Sequence, residues 1–261
     1  MLNHRTVKES TMAEWAALRR SSSAAGPFDA WLAPRSELTW RPAPEPVTGP
    51  VAKLGGQPVW LDEPFWPVSA TSGEPMTFAG QFPLPGPDVR LAYLFLTQDE
   101  ECLAETFEFE GGENALLIQP GGRIPGFVTG IPRATGPSLW RRGAKWTDRV
   151  PVELLLDVRE PDAAARVRFD REIAGQDAVR TGVHREEDDD AEADCRSYVG
   201  GRPLFWQPWT TVVDSAWRFF FQLDGAEGAD GDDFALNFGG GTGYAFLSED
   251  GREGRFFWDC V

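Results

Sequence analysis

The chain offers few imidazole groups for catalysis, and no spacing singles out a catalytic pair among its 41 acids. A nucleophilic enzyme needs a base within reach of its nucleophile, and the only imidazoles among the 261 residues are those of His4 and His184. His184 borders a run of acids, which favours the charged imidazole over the neutral form that a general base requires. No H-E-x-x-H, G-x-S-x-G or Walker pattern occurs in the sequence. We therefore expect a protein that is not an enzyme and has no catalytic residues.

Two glycine-rich or acidic segments have the composition of ligand sites but not the residue order that such sites require. Residues 224–234, DGAEGADGDDF, contain the carboxylates that calcium requires but lack the order of an EF-hand. Residues 238–246, FGGGTGYAF, would present backbone N–H groups to a phosphate, yet no Lys and no helix pattern follow, so a glycine-rich hairpin explains them better. The three cysteines lack metal-ligand spacing, and we expect neither metal nor cofactor. The calcium alternative rests on Asp224, Asp230, Asp232 and Asp233.

The densest charge lies in residues 184–194, HREEDDDAEAD, where acids fill seven of the nine positions 186–194. Such a run repels itself and normally forms a solvated loop. On a rigid scaffold it would also steer a basic partner protein towards the surface that carries it. The sequence leaves both interpretations open. The predicted partner-binding residues are Glu186, Glu187, Asp188, Asp189, Asp190, Glu192 and Asp194.

Net charge and apolar content narrow the possible partners. The chain has 25 basic and 41 acidic residues, a formal net charge of −16, which disfavours nucleic acids and anionic membrane surfaces. No apolar run approaches the roughly 20 residues that span a bilayer, and the first residues contain no apolar signal segment. Scattered cysteines in odd number suit a reducing compartment. We expect a cytoplasmic protein with a basic protein partner and with no nucleic-acid or membrane partner.

Short apolar runs bounded by Gly, Pro, Asp and Asn dominate the chain after residue 44. They predict a mainly antiparallel β protein of the β-rich α+β class, with a short N-terminal helix at 10–20 and a weaker helix at 160–174. We divide the chain into an N-terminal helix with a Pro-rich connector, 1–44, and one domain, 45–261. The predicted strands are MTFAGQF, RLAYLFL, ETFEFE, NALLIQ, VPVELLLDV, WRFFFQL, DFALNF, GYAFLS and RFFWDC.

A repeated motif indicates internal duplication. KLGGQPVW at residues 53–60 returns as YVGGRPLFW at 198–206, and matching segments follow in the same order. We expect two related β halves, near 45–160 and 196–261, packed as one globular body. Glycine supplies conformations closed to other residues, proline starts an extended segment and aromatic residues anchor the core. The predicted structural residues are Gly55, Gly56, Pro58, Trp60, Gln81, Gly200, Gly201, Pro203, Trp206 and Gln222, with Phe220 and Phe246 also in the core.

The same segments resemble the YwqG-like family of bacterial domains of unknown function. The resemblance is carried by VAKLGGQPVW, GEPMTFAGQF, YVGGRPLFWQ and the closing FFFQLDG, FALNFGGGTGYAFLS and FFWDC, over roughly residues 45–97 and 196–260. It implies a mostly β, internally duplicated fold without an established catalytic centre. Members of such families are often encoded near secreted bacterial toxins, which implies an immunity role for some. This chain departs from the pattern in its N-terminal helix, its acidic segment, and GGGTG where an aspartate is common among the glycines.

Three functions are consistent with these observations. The favoured one is a non-enzymatic immunity protein of interbacterial competition, which neutralises a cognate bacterial toxin by occluding its active or substrate-binding surface. The alternative from another class is an enzyme or small-ligand-binding protein of unknown reaction that uses a cleft between the two β halves. The third is a stress or housekeeping scaffold without a toxin partner.

Overall fold

The computed structural model describes residues 36–98, 104–145, 148–159, 197–200, 203, 205, 217–225, 236, 238 and 241–260. These residues form fourteen β-strands and no helix, which confirms the expected mainly β class. Both predicted helices and the acidic cluster lie outside the described residues. The strands are β1 (Ser36–Pro42), β2 (Lys53–Gly55), β3 (Trp66–Val68), β4 (Thr77–Pro83), β5 (Leu91–Leu96), β6 (Asn114–Gln119), β7 (Thr129–Ile131), β8 (Trp140–Arg142), β9 (Arg149–Pro151), β10 (Glu153–Arg159), β11 (Tyr198–Val199), β12 (Trp217–Asp224), β13 (Thr242–Ser248) and β14 (Gly254–Asp259).

Ten of these strands form one antiparallel sheet in the order β14-β13-β12-β11-β1-β10-β2-β4-β5-β6. The two edge strands, β14 and β6, contact each other, so the sheet curves into a nearly closed barrel. β3 pairs with β7, and β8 pairs with β9, in two small additional sheets. Because the edge strands cover each other, little of the sheet edge is open to pairing with another chain.

Apolar side chains cover both faces of the sheet. Along β5, Ala92, Leu94 and Leu96 belong to the barrel interior, while the alternate residues pack into a cluster on the outer face. The interior cluster joins residues from both ends of the sheet, and the rings of Phe82 and Phe221 stack with their centroids 4.0 Å apart. Because both faces of β5 are buried, its sequence is an uninterrupted apolar run.

The prediction of a strand at ETFEFE, residues 105–110, is wrong. The segment forms consecutive turns, and the side-chain amide of Asn114 donates hydrogen bonds of 2.9 Å to the carbonyl oxygens of Thr106 and Glu108. Phe109 is buried, whereas Phe107 is 43% exposed, so the alternation of apolar and acidic residues does not define one buried face. Hydrogen bonds from a side chain to the backbone override the strand pattern here.

Most other predicted strands are present. Six of the runs form β4, β5, β6, β12, β13 and β14, while DFALNF falls mostly outside the described residues. VPVELLLDV is divided into β9 and β10, because the Val152 N–H donates to the carbonyl of Leu139 at 3.0 Å. The predicted N-terminal connector contributes β1, which pairs with β10 and β11 at the centre of the sheet. Part of the predicted connector therefore belongs to the sheet.

The two copies of the GG-x-P motif occupy matching places in the sheet. Gly55 ends β2 and Gly200 follows β11, with positive φ angles of 67° and 71°. The strands next to them, β4 and β12, each contain a β-bulge two residues before a glutamine, Gln81 or Gln222. Each glutamine lies opposite a tyrosine of the following strand. Gly201 lies outside the described residues.

Aromatic packing after the two motifs is also similar. The ring of Trp60 lies 5.0 Å from that of Tyr93, and the ring of Phe205 lies 4.9 Å from that of Tyr244. Phe205 stands five residues after Gly200, as Trp60 stands five residues after Gly55. Trp206, the predicted counterpart of Trp60, lies outside the described residues.

The remaining predicted structural residues differ in burial. Phe220 and Phe246 are buried in the interior and in an outer cluster, respectively. Pro58 is buried, while Pro203 and Trp60 are half-buried. The aromatic residue that follows the first motif therefore covers an outer cluster rather than filling the barrel.

Candidate functional site

A cleft of about 580 Å³ opens beside the hairpin formed by β8 and β9. The turn before β4, the start of β4 and the end of β5 form one wall, and residues 136–140 with β9 form the other. The residues that line the cleft therefore lie between positions 57 and 151 of the chain. Its lining includes five side chains with polar or charged groups that a ligand could contact, those of Glu74, Thr77, Gln98, Trp140 and Arg149.

A buried carboxylate holds the first wall in place. The Glu113 side chain accepts hydrogen bonds of 2.7 Å from the hydroxyls of Ser69 and Thr97 and one of 2.8 Å from the backbone N–H of Thr71. Burial alone would raise the pKa of the Glu113 carboxyl, but these hydrogen bonds outweigh it and lower the pKa. Thr97 itself lines the cleft. Glu113 thereby ties the turn before β4 to the end of β5.

A side-chain amide fixes the opposite wall. Gln57 exchanges two hydrogen bonds with the backbone of Gly136, donating to its carbonyl at 3.1 Å and accepting from its N–H at 2.9 Å. The indole N–H of Trp60 donates to the carbonyl of Ala134 at 2.8 Å. A side chain at Gly136 would overlap the ring of Trp66. These contacts hold residues 134–136 close to the outer face of the sheet.

The cleft combines groups of opposite charge with unpaired polar groups. The guanidinium carbon of Arg149 lies 4.5 Å from the centroid of the Trp140 ring. Within the described part of the chain, no hydrogen bond is made by the Glu74 carboxylate, the Thr77 hydroxyl, the Gln98 amide or the Trp140 indole N–H. These groups are available to a ligand. The described residues contain no cluster of three or more His, Cys, Asp or Glu that could hold a metal ion.

The first GG-x-P motif has a structural role next to this cleft. Lys53 is fully buried, and its ammonium group donates to Glu153 Oε1 at 2.6 Å and to the carbonyl of Gln57 at 2.7 Å. A side chain at Gly55 would overlap the carbonyl of Val152. Gln57 is thus positioned at the cleft by a turn that requires glycine and by a buried ion pair.

Gln81 supports the same segment from β4. Its side-chain oxygen accepts from the N–H of Val59 at 2.9 Å, and its side-chain nitrogen donates to the carbonyls of Val51 at 2.9 Å and Gly49 at 3.3 Å. The Tyr93 hydroxyl donates to the carbonyl of Val59 at 2.8 Å. The chain on both sides of β2 is therefore held by side chains of β4 and β5.

The structure does not test the sequence-predicted ligand sites, because most of their residues lie outside the described part of the chain. All seven acids of the cluster at 186–194 lie outside the described residues, as do three of the four aspartates considered for calcium. Asp224 ends β12. At the glycine-rich segment, Gly241 donates to the carbonyl of Phe238 at 2.8 Å, and Gly225 donates to the carbonyl of Gly241 at 2.9 Å. Residues 242–246 of this segment belong to β13, and Gly239 and Gly240 lie outside the described residues, so the glycine-rich hairpin stays a prediction.

Sequence reasoning missed the residues that build the cleft. Lys53 carried a signal, since it is a lone charge next to apolar residues in VAKLGG, and Glu113 carried a similar one directly before NALLIQ. Buried charges need partners, and those partners, such as Glu153, are distant in the chain. Nothing local in the sequence marked Trp140 or Arg149.

Comparisons of the chain with protein-family models, curated proteins and solved structures found no match. No helix long and apolar enough to cross a membrane occurs in the described residues.

Proposed function

We propose that this YwqG-like chain is a non-enzymatic, cytoplasmic immunity protein that neutralises a cognate bacterial toxin by occluding its active or substrate-binding surface. The observation that carries the proposal is the attachment of the acidic segment. Arg159, at the end of β10, and Tyr198, at the start of β11, pair with the same residue, Glu37 of β1. Arg159 and Tyr198, strand residues on the two sides of the segment with the seven acids, therefore lie at one level of the sheet.

This attachment favours a steering role for the acids. Both anchoring strands belong to the ten-stranded sheet, and β1 lies between them. Negative charge attached to a rigid sheet, in a chain of net charge −16, would accelerate encounter with a basic protein more than it would strengthen the final complex. The centre of the contact would then consist of aromatic and polar groups.

We also propose that the domain arose by internal duplication. The sheet order supports this, because β2, β4, β5 and β6 on one side correspond to β11, β12, β13 and β14 on the other, and β10 corresponds to β1. The two bulges, the two positive-φ glycines and the paired glutamines and tyrosines match in the same way. An approximate twofold axis would pass between β1 and β10.

Co-expression with a candidate toxin encoded beside this chain tests the immunity proposal. We expect cells that carry the protein to survive the toxin and a stable complex to be isolated from them. If protection equals that of cells without the protein and no complex forms, the proposal is overturned and the alternative, an enzyme or small-ligand-binding protein that uses a cleft, takes precedence.

A charge-neutralised variant tests the steering role in the same system. Replacing Glu186, Glu187, Asp188, Asp189 and Asp190 together by Ser or Asn should slow association at low salt. The effect should diminish near 0.15 M salt, where screening limits exposed charges to about 8 Å. Stopped-flow association kinetics measure this.

A matched control separates the local cluster from the net charge. Glu45, Glu63, Asp88, Glu105 and Glu108 are exposed acids elsewhere on the sheet and its loops, and replacing them in the same way changes the net charge by the same amount. If this control slows association as much as the first variant does, the cluster at 186–190 has no specific role.

A further inference from the structure

We propose that the cleft beside β8 and β9 binds a neutral, hydroxyl-rich ligand, a saccharide, through Glu74, Thr77, Gln98 and Trp140. The inference goes beyond the immunity function and does not depend on it. It rests on the unpaired polar groups of the cleft, on the balance of its charges and on the rigidity of its walls.

The unpaired groups include both donors and acceptors. The Glu74 carboxylate only accepts hydrogen bonds, the Trp140 indole N–H only donates them, and the Thr77 hydroxyl and Gln98 amide do both. All four line the cleft, and their side chains have no hydrogen-bond partner among the described residues. Sugar hydroxyls also donate and accept, so one sugar ring can satisfy such a set at once.

The charges of the cleft favour a neutral ligand. Glu74 and Arg149 are the ionised side chains that line it, and they have opposite signs. An anionic ligand would be attracted by Arg149 but repelled by Glu74 and, at longer range, by a protein of net charge −16. A cationic ligand would be attracted by Glu74 but repelled by the guanidinium group of Arg149. A polyol meets neither repulsion.

Apolar surface accompanies these polar groups. The Trp140 ring lines the cleft together with Pro75, Pro137 and Leu139. An aromatic ring and proline rings present flat carbon surfaces, onto which the C–H faces of a sugar ring can pack. The volume of about 580 Å³ lies within the range of small-molecule sites.

The walls are fixed before any ligand arrives. Thr97 is held by the buried Glu113 carboxylate, and Gly136 is held by both hydrogen bonds of Gln57. A site that is already ordered loses less conformational entropy on binding. More of the free energy of its hydrogen bonds to a ligand therefore contributes to affinity.

Titration of the full chain with sugars tests the proposal. The protein is labelled with 5-fluorotryptophan, and the Trp140 resonance is assigned by comparison with Trp140→Phe. The probes are glucose, N-acetylglucosamine, maltotriose and chitotriose. We expect at least one probe to shift the Trp140 resonance saturably. Binding of a monosaccharide would indicate a free sugar, and binding of the trisaccharides alone would indicate a segment of a glycan; either result supports the proposal.

Two variants and two charged probes make the test decisive. Glu74→Gln should weaken sugar binding about tenfold, as expected for loss of a charged hydrogen-bond acceptor, and Gln98→Ala should also weaken it. Glu63→Gln, which removes an exposed acid outside the cleft, should leave it unchanged. The proposal is overturned if no sugar shifts Trp140, if Glu74→Gln binds as tightly as Glu63→Gln, or if only tetralysine or glucose 6-phosphate shifts the resonance.

Discussion

Lys53 is a fully buried charge whose ammonium group is held by three oxygen atoms. Glu153 Oε1 lies 2.6 Å away, and the carbonyls of Gln57 and Val47 lie at 2.7 and 3.5 Å. Removing the carboxylate would leave a buried charge without its counterion. We expect Glu153→Ala to lower the free energy of unfolding by about 3 kcal/mol, measured by urea denaturation.

The matched variant for this prediction is Lys53→Met. Methionine keeps the apolar stem and removes the buried charge, and the Glu153 carboxylate that remains is 20% exposed to solvent, so the loss should be smaller than that of Glu153→Ala. Equal losses would contradict this account and would attribute the effect to the hydrogen bonds of Lys53 instead.

Glu113 makes the stability of the cleft wall depend on pH. Its pKa is lowered in the folded protein from the ordinary value of 4.5, so the unfolded chain takes up the proton at a higher pH. The stabilisation is therefore complete above that value and is lost as pH falls through the folded pKa. We expect the stability difference between the parent protein and Glu113→Gln to be larger near pH 7 than near pH 3, in urea denaturation at each pH.

Glu63→Gln is the control for the pH prediction, because Glu63 is exposed and its side chain makes no hydrogen bond among the described residues. Its difference from the parent should change little over the same range. A difference for Glu113→Gln that does not change with pH would show that shape, rather than ionisation, determines the role of Glu113.

At the scale of elements, the turn after β2 depends on glycine. Gly55 has a φ of 67°, and a side chain there would overlap the carbonyl of Val152. Gly73 has a φ of 73°, but a side chain there would meet nothing within 4 Å. We expect Gly73→Ala to cost about 1 kcal/mol through backbone conformation alone. Gly55→Ala should cost about 3 kcal/mol, because β2 and β10 must also separate. Thermal unfolding of both variants measures the difference, and equal melting temperatures would contradict it.

A strand could be predicted from the sequence where its own residues carry a clear pattern of apolar side chains. The uninterrupted run of β5 and the aromatic run of β12 identify strands because both faces of each are covered by apolar side chains. ETFEFE has an equally clear alternation, but hydrogen bonds from Asn114 hold it as turns. β1 was missed because its sequence, SELTWRP, ends at a proline and reads as a connector.

For the whole molecule, the barrel interior joins residues from both ends of the ten-stranded sheet. Phe221 is fully buried and stacks on Phe82 from the other side of the barrel, with ring centroids 4.0 Å apart. We expect Phe221→Ala to lower the free energy of unfolding by about 3–5 kcal/mol. Unfolding of the variant should remain a single transition, the same by tryptophan fluorescence and by circular dichroism. Two separate transitions would show that the halves unfold independently.

A contact near the place where β6 meets β14 provides a comparison for the effect of Phe221→Ala on stability. Arg123, between β6 and β7, pairs with Asp250 and Glu253 of the β13–β14 turn, and the Arg123 and Asp250 side chains are 45% and 47% exposed. Exposed ion pairs contribute little to stability. Arg123→Ala should therefore change the unfolding transition much less than Phe221→Ala.

The sequence by itself determined the strand-rich class, the positions of most long strands and the recurrence of the GG-x-P motif. These depend on periodicity and on backbone preferences, which act over a few residues. Only the tertiary structure decided that β1 lies at the centre of the sheet, that β6 meets β14, and that Lys53 pairs with Glu153, 100 residues away. The cleft belongs to the same group, since Glu74, Gln98, Trp140 and Arg149 come from separate segments. Such contacts depend on how the whole sheet closes. Burial and hydrogen bonding between distant segments decide which side chains meet, and a pattern over a few residues cannot predict this.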